Sequence, residues 1–207
     1  MLIKMNELVS KYNMKINGIL HIGAHECEEL LDYMKVGVKM NNIHWVEGNN
    51  EIYNKMKEKK IPNLYYALID EKDNNEVIFN IASNGQSSSI LEFGSHSINH
   101  PHVKYINNYK CKTKRIDTLI DENNIPIESI NFLNLDIQGV ELRAMKSMEK
   151  YLQHIDYIYT EVNVEEVYKN CDNMYKMDEY LKQFGFIRKD ARIYQQYGWG
   201  DAIYIKE

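Results

Sequence analysis

INFLNLDIQGVELRAMKSM, residues 130–148, changes its hydrophobic period in the middle. Ile130 to Leu135 is a short apolar run of the kind that forms a buried strand, whereas Leu142, Met145 and, further on, Leu152 recur on one stripe of a helix. Between the two periods lie Asp136, Gln138 and Gly139, and Glu141 opens the helix. A strand that passes at once into a helix is half of a βα unit. In an open sheet of such units ligands sit outside the carboxyl ends of the strands. Asp136 occupies that position.

The same pattern extends in both directions. Toward the N-terminus, Ile19–Ile22 is an apolar run ending at Gly23, with Leu30, Leu31, Met34 and Val38 at helical spacing after it. Ile43–Val46 ends at Glu47 and leads into an amphipathic stretch carrying Ile52 and Met56, and Leu64–Leu68 is a third run. Glu76–Ala82 alternates as a half-buried strand does, Lys110–Ile116 alternates again, and Asp117 is placed to cap a short helix. Toward the C-terminus come a strand at Tyr157–Val162, a helix at Met174–Phe184 and closing strands around Phe186–Lys189 and Ala202–Ile205. Alternating strands and helices predict an α/β protein with a mainly parallel sheet covered on both faces. Ser83–His102 is Ser- and His-rich without periodicity; residues 83–109 are expected to form an insertion or substrate lid, and residues 1–17 a helical extension.

With 207 residues, one domain spanning 1–207 is expected. The 25 Lys and Arg are scattered among 30 Asp and Glu, a net charge of −5, which argues against a nucleic-acid partner. Cys27, Cys111 and Cys171 are odd in number and far apart, so neither a disulfide framework nor a zinc knuckle is expected; a reducing, cytoplasmic setting suits them. No apolar run reaches the ~18 residues that would span a bilayer, so no membrane partner is expected.

Four strand ends carry polar chemistry. ILHIGAHECEE, Ile19–Glu29, offers Gly23 and Ala24 for a sharp turn, and with His25 and Glu26 it could receive the carboxylate end of a cofactor. Glu47, about two dozen residues on, is placed to accept both hydroxyls of a ribose. Ala67, Leu68 and Asp70 offer an apolar wall for a purine and a carboxylate for its amino group. Asp136 with Gln138 is the fourth.

In these motifs the chain resembles the FkbM-type family of S-adenosylmethionine-dependent methyltransferases. Asp136-Ile137-Gln138-Gly139-Val140-Glu141 is similar to the family's post-strand motif and ILHIGAHECEE to its first glycine motif. Tyr66–Asp70, Ser87-Ser88-Ser89, Thr113–Leu119 and Gly198–Ile203 follow in family order, so the likeness covers most of the chain. It implies a Rossmann-like class I methyltransferase fold, a seven-stranded, mostly parallel sheet with helices on both faces and its last strand antiparallel. It also implies S-adenosylmethionine as cofactor, held by residues that include Ser88. The acceptor it implies is a hydroxyl of a sugar, a sugar nucleotide, a glycan or another small metabolite. The chain departs from the family pattern at His25, Cys27 and Asn134, where Asn, Gly and Lys are common. A side chain at residue 27 is expected to place a Cβ close to the methionine end of the cofactor, tightening that turn without forbidding binding.

Removing the acceptor's proton requires a base, for which Asp136, Glu161 and His25 are the candidates, with His96, His100 and His102 as further imidazoles on an irregular segment. Activation by Mg²⁺ or another divalent cation held by Asp136, Glu161 and Asn163 is the alternative. GSHSINHPH lacks the fourth ligand and cysteine support of a zinc site, and no base is evident for Cys27 as a nucleophile. Trp199 either packs a substrate ring or closes the final hairpin. Two other functions compete: a dinucleotide-dependent oxidoreductase, which GAHECEE serves poorly for want of repeated glycines, and a catalytically decayed cofactor-binding protein.

Overall fold

Period-two alternation divides each central strand between two cores. In the computed structural model, which describes residues 1–207, β1 (Ile19–Ile22) follows helix α1 (Met5–Tyr12) and is buried along its whole length. Ile19 packs with the α1 side of the sheet, and Leu20 and Ile22 with the other side. The chain continues through α2 (Leu30–Lys35), β2 (Ile43–Glu47), α3 (Asn50–Glu58), β3 (Leu64–Tyr66), β4 (Leu68–Ile69), β5 (Glu76–Ala82) and α4 (His96–Asn99). Then come β6 (Tyr105–Lys114), α5 (Ile116–Asn123), β7 (Phe132–Leu135), α6 (Glu141–Lys146), β8 (Tyr157–Asn163), α7 (Met174–Lys182), β9 (Phe186–Tyr194) and β10 (Trp199–Lys206).

The main sheet has seven strands in the order β3-β2-β1-β7-β8-β10-β9. The five from β3 to β8 are mutually parallel, and β10 runs antiparallel to both of its neighbours. Helices α1, α2 and α3 bury Leu8, Tyr33 and Met56 against one face; α5, α6 and α7 bury Leu119, Met145 and Leu181 against the other. Strands buried on both faces explain the apolar runs of β1, β2 and β7.

Several local expectations are revised. Leu64–Leu68 is not one strand: β3 pairs with β2, the chain leaves the sheet at Ala67, and β4 pairs with β6 in a second, three-stranded sheet completed by β5. Leu31 and Met34 are largely exposed, and α2 is anchored instead by the fully buried Tyr33. Asp117 lies in the first turn of α5, where it pairs with Arg115 and accepts from Thr118 N, so the N-cap position is held by Arg115 and not by an aspartate. Residues 105–109 belong to β6, paired with β5, which confines the irregular segment to 83–104. That segment is docked: Gly94 N and Ser95 N donate to Val167 O and Glu166 O, and Ser89 Oγ donates to Gln138 O.

Candidate active site

The carboxyl ends of β1, β2, β7 and β8 open on one edge of the sheet. Because β10 is antiparallel, its first residues reach the same edge, and Asp201 lies opposite Glu161 of β8. At Gly23, φ is +87°, and a Cβ there would come within 1.9 Å of Asp136 O. The turns after β1 and β7 therefore touch, and only glycine permits it.

Two cavities meet at this junction, sharing Gly23, His25, Gln86, Asp136 and Gln138 as their common wall. The smaller is walled by Glu47, Gly48 and Ala67–Ile69, with Gly85, Ser88 and Ser89 on the side of the 83–104 segment. Glu47 is buried; it accepts from His25 N (2.7 Å) on one oxygen and from Asn49 N (2.6 Å) on the other. A carboxylate has about four acceptor positions, so both oxygens keep capacity for a ligand's hydroxyls. The larger cavity, about 400 Å³, is lined by Asp136, Glu161, Asp201, His96, Tyr168 and Trp199 among others.

Gln138 organises the floor between them. Its backbone is left-handed at φ +58°, which turns the amide back over the strand ends. Nε2 donates to Asp136 Oδ1 (2.5 Å) and Glu161 Oε2 (3.1 Å), while Oε1 accepts from Tyr168 OH (2.5 Å). The two carboxylates fix the orientation of the amide, since a flipped Gln138 would set an oxygen against them, and the Tyr168 hydroxyl therefore donates to Oε1.

These acids are held above their ordinary pKa. Burial, and then the charge of Asp201, pushes Asp136 up to about 6. Glu161 is raised well above the usual range by burial and then by Asp136 and Glu141, and Asp201 is raised mainly by burial. Asp136 nevertheless opens to the cavity water, unlike Glu161 and Asp201, which are buried. His25 is pushed up by its hydrogen bond to Glu28 (2.7 Å), and its ring lies between the cavities beneath Gly85.

The other candidates from the sequence divide between the cavity walls and positions away from them. The Glu26 carboxylate is bound by Lys55 of α3 and by Lys59 at its C-cap, and lines neither cavity. Asp70 is buried with Oδ1 on Glu71 N, leaving Ala67, Leu68 and Ile69 to form the wall. Ser88 lines the smaller cavity, but its hydroxyl is engaged with Gly85 O and Ala82 N. Asp136, Glu161 and Asn163 do not converge as a metal-binding set: the Gln138 amide bridges the two acids, and Asn163 is buried outside both cavities. No three His, Cys, Asp or Glu side chains come together to hold a metal ion.

The expected Cβ near the cofactor is not found, because Cys27 lines neither cavity. Its φ is +57°, its side chain packs in the core beside α2, and burial pushes the thiol up to about 12. The backbone conformation explains why glycine suits that position. Asn134 is buried and donates to Tyr33 OH (2.6 Å), which also bonds His21. Tyr168 was missed in the sequence, and Asp201 stood there only as part of the Gly198–Ile203 motif, with no role assigned. For Asp201 a signal existed, because the start of an antiparallel strand falls where parallel neighbours end.

The strand order, the antiparallel β10 and the ligand-sized cavity at the carboxyl edge define a Rossmann-like class I methyltransferase fold. The family model described as the methyltransferase FkbM domain matches residues 21–188, and the chain belongs to that family. Among solved structures, the FkbM methyltransferase from Methylobacillus flagellatus KT superposes with a TM-score of 0.58 at 13% identity, over 91% of this chain and 43% of that protein. The chain thus spans less than half of that relative's length. Magnesium protoporphyrin IX methyltransferase from Synechocystis PCC 6803, solved with bound SAM, gives a TM-score of 0.52 at 7% identity, over 98% of this chain and 76% of that one. Comparison with curated proteins gives no match.

Proposed function

We propose that this protein is an O-methyltransferase that uses S-adenosylmethionine to methylate a hydroxyl of a small acceptor such as a sugar, a sugar nucleotide or a glycan. The observation that carries the reading is the meeting of the two cavities at Asp136. The smaller offers what an adenosine needs, an apolar wall at Ala67–Ile69 and the Glu47 carboxylate; the larger is of the size of small-molecule sites. At about 60 Å³ the smaller cavity is well under the ~300 Å³ at which such sites begin, so entry of a nucleoside requires residues 85–89 to lift. This makes the 83–104 segment a lid that excludes water on closing.

When bound, the cofactor supplies an electrophilic methyl group on a sulfonium. The protein's part is to hold the acceptor oxygen in line with that methyl and to take its proton. Asp136 is the base: its pKa near 6 leaves it ionised at neutral pH yet basic enough to accept a proton. Glu161, raised further, holds the acceptor by hydrogen bonding, and Gln138 keeps the two acids in place.

Calorimetric titration with S-adenosylmethionine, S-adenosylhomocysteine and NAD, followed by labelled-methyl transfer to a panel of glycosides and sugar nucleotides, tests the reading. Binding of the first two but not of NAD is expected, with labelled product from at least one acceptor. Tight NAD binding without binding of the sulfonium cofactor would overturn it.

A further inference from the structure

The Gln138 amide spans two acids at its nitrogen end, but its oxygen has a single partner. Oε1 accepts from Tyr168 OH at 2.5 Å, while Nε2 donates to Asp136 Oδ1 and Glu161 Oε2, so hydroxyl, amide and carboxylates form one chain of hydrogen bonds. Glutamine is among the side chains that lose most rotamer freedom when fixed. A hydrogen bond at the far end of the amide offsets that loss and keeps the nitrogen on the acids.

Tyr168 is itself firmly held. It is 1% exposed, and burial, then the charge of Glu161, keep its hydroxyl protonated well above the ordinary range, so it is a donor at every working pH. Its ring lies 5.8 Å from that of Phe93 and 5.6 Å from that of His96. The backbone around it is tied to the 83–104 segment: Val167 O accepts from Gly94 N and His96 N, Glu166 O from Ser95 N, and Lys169 N donates to Glu92 O. A Cβ at Gly94 would come within 2.1 Å of Glu166 O, so the two backbones are in contact. The same segment reaches the Gln138 backbone, whose carbonyl accepts from Ser89 Oγ.

We propose that Tyr168 is a positioning residue for methyl transfer: its hydroxyl, held in place by the docked 83–104 segment, fixes the Gln138 amide against Asp136 and Glu161. This deepens the reading of Asp136 as base and rests on it. Without the hydroxyl the amide swings free, Asp136 loses a donor to its ionised form, and Glu161 faces it with nothing between them. Both changes raise the pKa of Asp136 and disorder the oxygen that takes the proton.

The test follows the carboxyl carbon of Asp136 by NMR in the full chain, from about pH 4 to 9, the signal being assigned by its loss in Asp136→Asn. Tyr168→Phe removes the hydroxyl and keeps the ring; Gln138→Gly removes the amide and suits the left-handed backbone at that position. Tyr168→Phe should move the midpoint up by on the order of half a unit. Gln138→Gly should move it at least as far, and the double variant no further than Gln138→Gly alone, because the hydroxyl acts through the amide. Asp201, Glu161, Glu29, Glu141 and the α-amino group of Met1 also act on these carboxyls and are common to all the variants compared, so the differences report the amide. With an acceptor from the glycoside panel, kcat of Tyr168→Phe should fall about three- to tenfold at unchanged KM for S-adenosylmethionine. A midpoint unmoved by Tyr168→Phe, or a further shift when it is added to Gln138→Gly, would overturn the proposal: Tyr168 would then be a core tyrosine and nothing more. The midpoints are read without turnover, so failure of the base reading, shown by undiminished turnover of Asp136→Asn, is a separate result.

Discussion

Replacing Asp136 by Asn should make the protein slower and more stable at once. The substitution keeps the shape of the side chain and an oxygen to accept from Gln138 Nε2, but it removes the negative charge beside Glu161 and Asp201. If Asp136 takes the acceptor's proton, turnover should fall by the ~10²–10⁴ typical of a general base, about 3–5 kcal/mol of barrier, with affinity for the methyl donor little changed. The stability change has the opposite sign. The folded-state pKa is raised from 3.8 to about 6, so the folded protein holds a proton that the unfolded chain releases, and stability is lost as pH rises from about 4 to 6. Two units would be worth about 3 kcal/mol for a sealed group. Asp136 is open to cavity water, which screens it, so about 1 kcal/mol gained by the variant at pH 7.5 is expected, and almost nothing at pH 4. Initial rates with labelled methyl donor, calorimetry with S-adenosylhomocysteine and urea unfolding at the two pH values measure all three quantities. Undiminished turnover would refute the assignment as base, and a variant less stable than the parent at pH 7.5 would refute the electrostatic account.

Glu47→Ala should weaken binding of S-adenosylhomocysteine by about 1.5–3 kcal/mol in calorimetry, because the ribose loses a charged acceptor and His25 N and Asn49 N lose theirs; unchanged affinity in the folded variant would remove Glu47 from the site. Glu141 accepts from Ile137 N and Gly139 N, and burial first, then neighbours, raise it from 4.5 to about 7. Its contribution to stability is therefore lost between about pH 4.5 and 7, so Glu141→Gln should flatten the pH dependence of the unfolding free energy from urea titrations by of order 2–3 kcal/mol over that window, and an unaltered slope would contradict this. Methyl transfer should survive EDTA, since Gln138 Nε2 occupies the space between Asp136 and Glu161 and no three His, Cys, Asp or Glu side chains come together; activity lost to the chelator and restored by Mg²⁺ would show that a metal site forms after all.

Much of the candidate site was legible because the sheet is built from βα units. Gly23, Glu47 and Asp136 each end an apolar run, and a run's end in sequence is a strand's carboxyl end in space. Glu26 and Asp70 misled because neighbours along a chain need not face the same way: one carboxylate turns to Lys55 and Lys59 at the end of α3, the other folds onto Glu71 N. Cys27 misled for a related reason. A left-handed residue directs its Cβ differently from the extended residue it resembles in sequence, and this one points into the core.

The sequence by itself determined the α/β class, the parallel order of its βα units and the strand ends that could carry a cofactor, because hydrophobic period and turn residues act locally. Only the tertiary structure decided which of those ends meet. It broke Leu64–Leu68 between two sheets, docked the 83–104 segment over the edge and brought Asp201 from the end of the chain beside Glu161. The pKa of Asp136 belongs to this second group as well. It depends on burial and on a charge 65 positions away in the chain, a proximity that exists only once the antiparallel β10 has entered the sheet.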